Sequence, residues 1–157
     1  MSQDGVILAG LLDATEQGGA VNVELAVLAD YATTTADGKL IIAGVFDMIN
    51  VASFPARHPV MYLALRIHGD AADLGTHALE LRLVDPDARG VVPAVTSQFE
   101  VPDPGEQATT ANSQFVINMA NIAFEKPGPY SFDILIDERY ELSVSFEVRQ
   151  SAPTSHQ

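Results

Sequence analysis

The chain contains no cysteine and no tryptophan, and only eight lysines and arginines among its 157 residues. Without cysteine there is no disulfide framework, thiolate zinc site, iron–sulfur cluster or cysteine nucleophile. The absence also fits a reducing compartment. The eight basic residues face 21 acidic ones, for a formal net charge of −13. Such a field repels polyanions. The cations Lys39, Arg57, Arg66, Arg82, Arg89, Lys126, Arg139 and Arg149 are scattered and form no basic stripe. The expectation is therefore no nucleic-acid partner and no membrane partner. Long apolar runs are missing too. The N-terminal patch Val6 to Leu12 contains Gly10, has no Lys or Arg before it, and is too short to cross a bilayer. The expected location is cytoplasmic.

Motifs that carry chemistry are absent as well. There is no Gly-rich phosphate loop followed by Lys-Ser/Thr, no dinucleotide fingerprint, no paired-His zinc helix and no nucleophile elbow. The reading is a non-enzyme with no catalytic residues, no resident metal and no cofactor.

What is present is one domain's worth of alternating sequence. A chain of this size buries roughly 70% of its unfolded surface, and its 47% hydrophobic content reads as globular rather than disordered. Residues 1–22 stand apart as an N-terminal extension. Ile7, Leu8, Leu11 and Leu12 fall on one side of a short helix, which Asp4 would cap and Gly18-Gly19 would end. These four residues are the candidate anchors for a protein partner or a second copy of the chain.

From Val23 the period changes to two. Val23, Leu25, Val27, Ala29 and Tyr31 read as one face of a first strand, and Asp37-Gly38 as its turn. Residues 39–51 read as a second strand, in which Gly44 signals a bulge or a close approach; Ser53-Phe54-Pro55 and His58-Pro59 then break the pattern. Met61, Leu63, Leu65 and Ile67 read as inward, as do Leu79, Leu81 and Leu83. A strand at 91–101 is demoted to an edge by Pro93. Residues 114–124 are apolar on both faces and read as a central strand covered on both sides. Tyr130, Phe132, Ile134 and Ile136, then Leu142, Val144, Phe146 and Val148, close the pattern. Tyr130, just after Pro127-Gly128, has the setting of a tyrosine that ties its hydroxyl to nearby backbone. About eight strands and no second helical pattern predict an all-β fold. The expected architecture is an antiparallel β-sandwich, immunoglobulin-like or jelly-roll-like, over residues 23–149, with a disordered tail at 150–157.

Two clusters of residues carry a resemblance. The first is Leu28-Ala29-Asp30-Tyr31-Ala32 with Asp37-Gly38-Lys39, Gly44, Phe46-Asp47, Phe54-Pro55, His58-Pro59 and Tyr62-Leu63. The second is Phe124, Pro127-Gly128, Tyr130, Phe132, Ile134 and Asp137. Together they resemble a family of small bacterial β-sandwich proteins known only as a domain of unknown function. The resemblance implies a sandwich and supplies no functional residues. It also marks residues 1–22 as an extension beyond the family's usual start.

Three function classes remain. The first is a non-enzymatic protein-interaction or assembly module, including a structural subunit of a larger assembly. The second is a small-ligand, carbohydrate or calcium-binding sandwich, for which the loop acids Asp70, Asp73, Asp85, Asp87, Asp103 and Glu106 are candidate oxygen donors. Lack of tryptophan and the inward parity of most Tyr and Phe argue against sugar platforms. The third is a hydrolase or isomerase using a buried carboxylate, Asp30 or Asp47, with His58 as its partner. Asp30, Asp47 and His58 are the candidate polar site. Asp30 and Asp47 read as lying opposite the core, where Arg66 and Arg82 would join them in a row of exposed ion pairs.

Overall fold

The computed structural model describes residues 21–153. The helix expected within residues 1–22, with Ile7, Leu8, Leu11 and Leu12, lies outside these residues, except that Val21 is buried and Asn22 begins the first strand. Residues 154–157 of the expected tail lie outside them too. Nine strands follow: β1 (Asn22–Thr34), β2 (Leu40–Val45), β3 (Met48–Val51), β4 (Ala56–Asp70), β5 (Gly75–Val84), β6 (Val95–Val101), β7 (Thr110–Phe124), β8 (Gly128–Ile136) and β9 (Arg139–Gln150). A single 3-10 turn, Ala71–Asp73, joins β4 to β5.

The strands form two sheets, in the orders β2-β1-β4-β7 and β3-β9-β8-β5-β6. Pairing is antiparallel except between β3 and β9, which run parallel. Neighbours such as β4–β7 and β5–β8 are far apart in sequence, the Greek-key connection of an immunoglobulin-like sandwich. The tyrosine corner of that arrangement is present: the Tyr130 hydroxyl donates to the Lys126 carbonyl at 2.6 Å.

The core lies between the sheets, where alternate residues point inward. Met61, Leu63, Leu65 and Ile67 of β4 meet Leu79, Leu81 and Leu83 of β5 and Phe132, Ile134 and Ile136 of β8, all buried as their spacing predicts. Phe124, Tyr130, Phe132 and Phe146 pack edge-on or stacked with ring centroids 4.9–5.9 Å apart. Such pairs add about 0.5–1.5 kcal/mol each beyond the area they bury.

Four local expectations are corrected. In β1 the register shifts between Val23 and Leu25. One extra residue reverses the parity of everything after it, so Ala26 and Leu28 face the core while Leu25, Val27, Ala29 and Tyr31 face out. The second strand, expected over residues 39–51, is two strands in different sheets. Phe46 N–H still bonds the Leu28 carbonyl of the first sheet, whereas the Asp47 carbonyl accepts Glu147 N–H of the second. His58-Pro59 does not break the chain but lies within β4. Finally, β7 is not central: it is the edge of the four-stranded sheet.

Candidate interaction surface

The bulge in β1 and the edge position of β7 together produce an unusual outer face on the four-stranded sheet. Register places Ala29 beside Val45 and Tyr62, Tyr31 beside Ala43, Thr33 beside Ile41, Tyr62 beside Asn118, and Ala64 beside Val116. All of these point away from the core. No outward position from Val27 to Thr33, Ile41 to Val45, Val60 to Ala64 or Val116 to Ala120 carries a charge. Tyr31 is 50% exposed, Ile41 48%, Val45 62% and Val60 38%. Tyr31 and Tyr62 pack edge to face at 5.4 Å over the small, fully covered Ala29 and Ala64. The result is a rigid aromatic pair on an apolar floor. Charge resumes at both ends: at the β1–β2 turn, where Lys39 beside Thr35 pairs with Asp37 at 2.9 Å, and towards the β1 start, where Arg66 Nε lies 2.9 Å from Glu24 as an ion pair without a directed hydrogen bond.

The sequence-predicted polar site does not assemble. Asp30 shares the parity of Leu28 and Ala32, on the core side of β1 rather than opposite it, yet unlike them it is exposed. It sits against Gly44, where a Cβ would come within 2.5 Å of Asp30 Oδ2. Gly44 is thus the close approach its place in the strand predicted. Asp47 is exposed in the crossover between the sheets. His58 is half-buried beside Phe46, its Nε2 without a partner. No hydrogen bond or ion pair joins Asp30, Asp47 and His58 among the described residues. The row of ion pairs is also dispersed, because Arg66 belongs to one sheet and Arg82, paired with Glu80 at 2.7 Å, to the other.

The loop acids cap their own turns. Asp70 accepts Ala72 N–H and Asp73 accepts Asp70 N–H, a reciprocal capping box. Asp85 accepts the N–H groups of Asp87 and Arg89, and Asp103 that of Gly105. Lys126 pairs with Asp85 and Asp87. No group of three or more His, Asp or Glu among the described residues is placed to hold a metal ion. No helix among them is long and apolar enough to cross a membrane.

One polar cluster escaped the sequence reading. His77 Nδ1 lies 2.6 Å from Asp137 Oδ2, and its Nε2 lies 2.5 Å from the Asp73 carbonyl. The ring stacks on Phe99 at 5.5 Å. With an acceptor at each nitrogen, the imidazolium satisfies both and the neutral ring only one. Burial is the largest influence on His77 and opposes its charge, but the bonds to Asp137 and Asp73 outweigh it and raise the pKa. For Asp137, burial again opposes the charge, and the bonds from His77 and Ala78 N–H lower the pKa below the usual carboxylate value. The cluster ties the β8–β9 turn to the β4–β5 corner. No spacing rule links His77 to a residue 60 positions away.

At the open side of the sandwich, a groove of about 440 Å³ separates β6 from β7. Its floor is Leu79, Leu81, Phe115 and Ile117, and Val95, Thr96 and Ser97 form its far wall.

No curated protein matches the chain. Among solved structures it is similar to part of the alkylpurine DNA glycosylase AlkC of Pseudomonas fluorescens bound to DNA containing an abasic-site analogue. Identity there is 13% and the TM-score 0.47, over 86% of this chain and 32% of that one. It is similar also to part of a β-glucosidase from Listeria innocua in complex with isofagomine, at 10% identity and a TM-score of 0.46, over 82% of this chain and 16% of that one. The chain thus spans a third or less of the length of these proteins. The family model of DUF6941, a family of unknown function, matches residues 24–149, and the chain belongs to that family.

Proposed function

We propose that this domain is a non-enzymatic protein-interaction module that docks a partner on the outer face of the β2-β1-β4-β7 sheet. The observation that carries the reading is the charge-free apolar face around Tyr31 and Tyr62. Contiguous exposed apolar surface of this kind is uncommon on monomers and marks contact sites. Interface centres are depleted of charge and enriched in tyrosine. The partner is another protein, with an apolar patch rimmed by Lys or Arg. Net charge supports a heterologous partner over a second copy, since each further copy brings another −13.

The test compares captured partners of the full chain with those of Tyr31→Lys, Ile41→Lys and the control Tyr140→Lys. Tyr140 is also exposed but lies on β9 of the other sheet. Binding retained by the control and lost by both face variants, with unchanged melting temperatures, supports the reading. A partner held equally by all forms, or by none, overturns it.

A further inference from the structure

The free edge of β7 offers a second surface, and it has a defined geometry. β7 runs for 15 residues and, among the described residues, forms a strand ladder with β4 alone. Between Thr110 and Phe124 it has no Asp, Glu, Lys, Arg or Pro. Charges, prolines and short length are the devices by which proteins blunt sheet edges, and here the first positive-φ residue comes only at Asn121. From Phe115 to Ala120 no backbone group bonds outside the β4 ladder among the described residues. In a seven-strand immunoglobulin-like domain a further strand pairs at this edge; in this chain β6 leads straight to β7 and leaves that place open.

The second sheet does not close the gap. At one end β6 meets β7, where Ser113 Oγ donates to the Glu100 carbonyl at 3.2 Å and Phe99 packs edge-on against Phe115 at 5.3 Å. Beyond that contact the strands diverge, and the apolar groove opens beneath the exposed backbone of β7. A strand added to β7 would satisfy its free N–H and C=O groups and drop every second side chain into this groove. The loop between β6 and β7 carries Asp103 and Glu106, and Glu100 precedes it, so the Thr110 end of the edge is acidic.

We infer that the β7 edge binds an extended peptide segment of a partner protein, with apolar side chains at alternate positions and Lys or Arg at the end beside Thr110. The inference rests on the interaction-module reading but uses a different surface from the Tyr31 face. The groove lies within the size range of pockets that hold small ligands, roughly 300–1,000 Å³. Its apolar floor suits Val, Leu or Ile rather than a polar molecule. A second copy pairing β7 to β7 would double the acidic charge, whereas a basic flank lowers it.

The probe is a synthetic nonapeptide, acetylated and amidated, that alternates Val with Thr and ends with two lysines, which antiparallel pairing places beside Thr110. Its controls are a scrambled form with the valines consecutive and a form with glutamates for lysines. Binding is read by calorimetry, and backbone amide exchange of β7 is read with and without peptide. The alternating peptide should bind at up to ~1 mM and slow exchange at alternate amides between Phe115 and Ala120, while both controls bind more weakly. Ser97→Phe fills the groove from an exposed position on the inward-facing side of β6 and should weaken binding by at least about tenfold with the melting temperature unchanged. Tyr31→Lys should leave peptide binding intact, so that failure at the edge and failure at the outer face are told apart. Equal binding of the scrambled peptide, or an unaffected Ser97→Phe variant, overturns the inference. So does β7 protection already present without peptide, whether in the monomer, where the chain itself covers the edge, or in a dimer, where a second copy does.

Discussion

Replacing Asp137 with Asn isolates the charge in the His77 cluster while keeping its shape. The amide oxygen can still accept Ala78 N–H, as Asp137 Oδ1 does at 2.9 Å. What is lost is the anion 2.6 Å from His77 Nδ1. The sign follows from the two titrations. His77 is raised above 6.5, so its contribution is fully present below pH 6.5 and is lost as pH rises through its folded-state pKa. Asp137 is lowered below 3.8, so its contribution is present above pH 3.8 and is lost as pH falls through its folded-state pKa. The pair therefore stabilises most between 3.8 and 6.5. A charge-assisted hydrogen bond contributes about 1.5–3 kcal/mol. Asp137 is 40% exposed and Arg139 lies near it, so screening lowers the expectation to about 1 kcal/mol at pH 5.5. For a chain of this length that is about 2–4 °C in melting temperature. At a second pH, set above the folded-state pKa that the NMR titration finds for His77, the ring is neutral in the parent and the difference should fall below ~0.5 kcal/mol. Urea unfolding of both proteins at the two pH values, with NMR titration of the His77 ring, makes the measurement. An equal loss at both pH values, or a His77 pKa that does not fall in the variant, would refute the assignment.

Removing one hydroxyl tests the tyrosine corner: Tyr130→Phe leaves the Lys126 carbonyl without its donor and should cost about 1–2 kcal/mol in urea unfolding, with the same fold by NMR. The β8–β9 turn places Asp137 and Glu138 at φ 51° and 67°, the double left-handed conformation that favours glycine at the second position. Glu138→Gly should stabilise by about 0.5–1 kcal/mol, and a loss of stability would mean that the Glu138 side chain matters. Gly44→Ala combines a φ of +73° with a 2.5 Å approach to Asp30 and should cost about 1–3 kcal/mol. Adding Asp30→Gly should recover only the steric part, and full recovery would show that the backbone angle costs nothing.

The core was legible in the sequence because alternation in β4, β5 and β8, and in β9 from Leu142 onward, is uninterrupted. Leu63, Leu81 and Ile134 occupy the faces that a period of two assigns them. The outer face was not legible, and the reason is local. One bulged residue between Val23 and Leu25 inverts the parity of the rest of β1, and nothing in the residue types there announces it. Tyr31, assigned to the core by alternation, ends at the centre of the exposed apolar patch. The same blindness misplaced β7. Apolar residues on both faces of a strand indicate burial on both faces only if a second layer is present; here one face is core and the other is the charge-free surface. The polar candidates failed differently. Asp30, Asp47 and His58 are close in sequence, but β1, the crossover and β4 send them to separate surroundings. His77 and Asp137, which do meet, come from strands whose pairing no sequence spacing reveals.

The arrangement of charge bears on why the outer face is apolar. Keeping a sheet face soluble needs little: one Lys or Glu at an outward position of each strand interrupts an apolar patch. This chain has 29 charged residues and places many of them in turns, at strand ends and on the opposite sheet, where Glu80, Arg82, Glu147 and Arg149 pair along the strands. None reaches the Tyr31–Tyr62 face or the β7 edge that continues it through Val116 and Asn118. A domain whose only requirement was to fold would gain solubility from a charge there at no cost to the core, because the outward positions of β1 and β4 do not touch it. The absence of charge on this face and edge, beside a strongly acidic remainder, is what the proposed docking of apolar partners requires, and the acidic remainder disfavours pairing with a second copy.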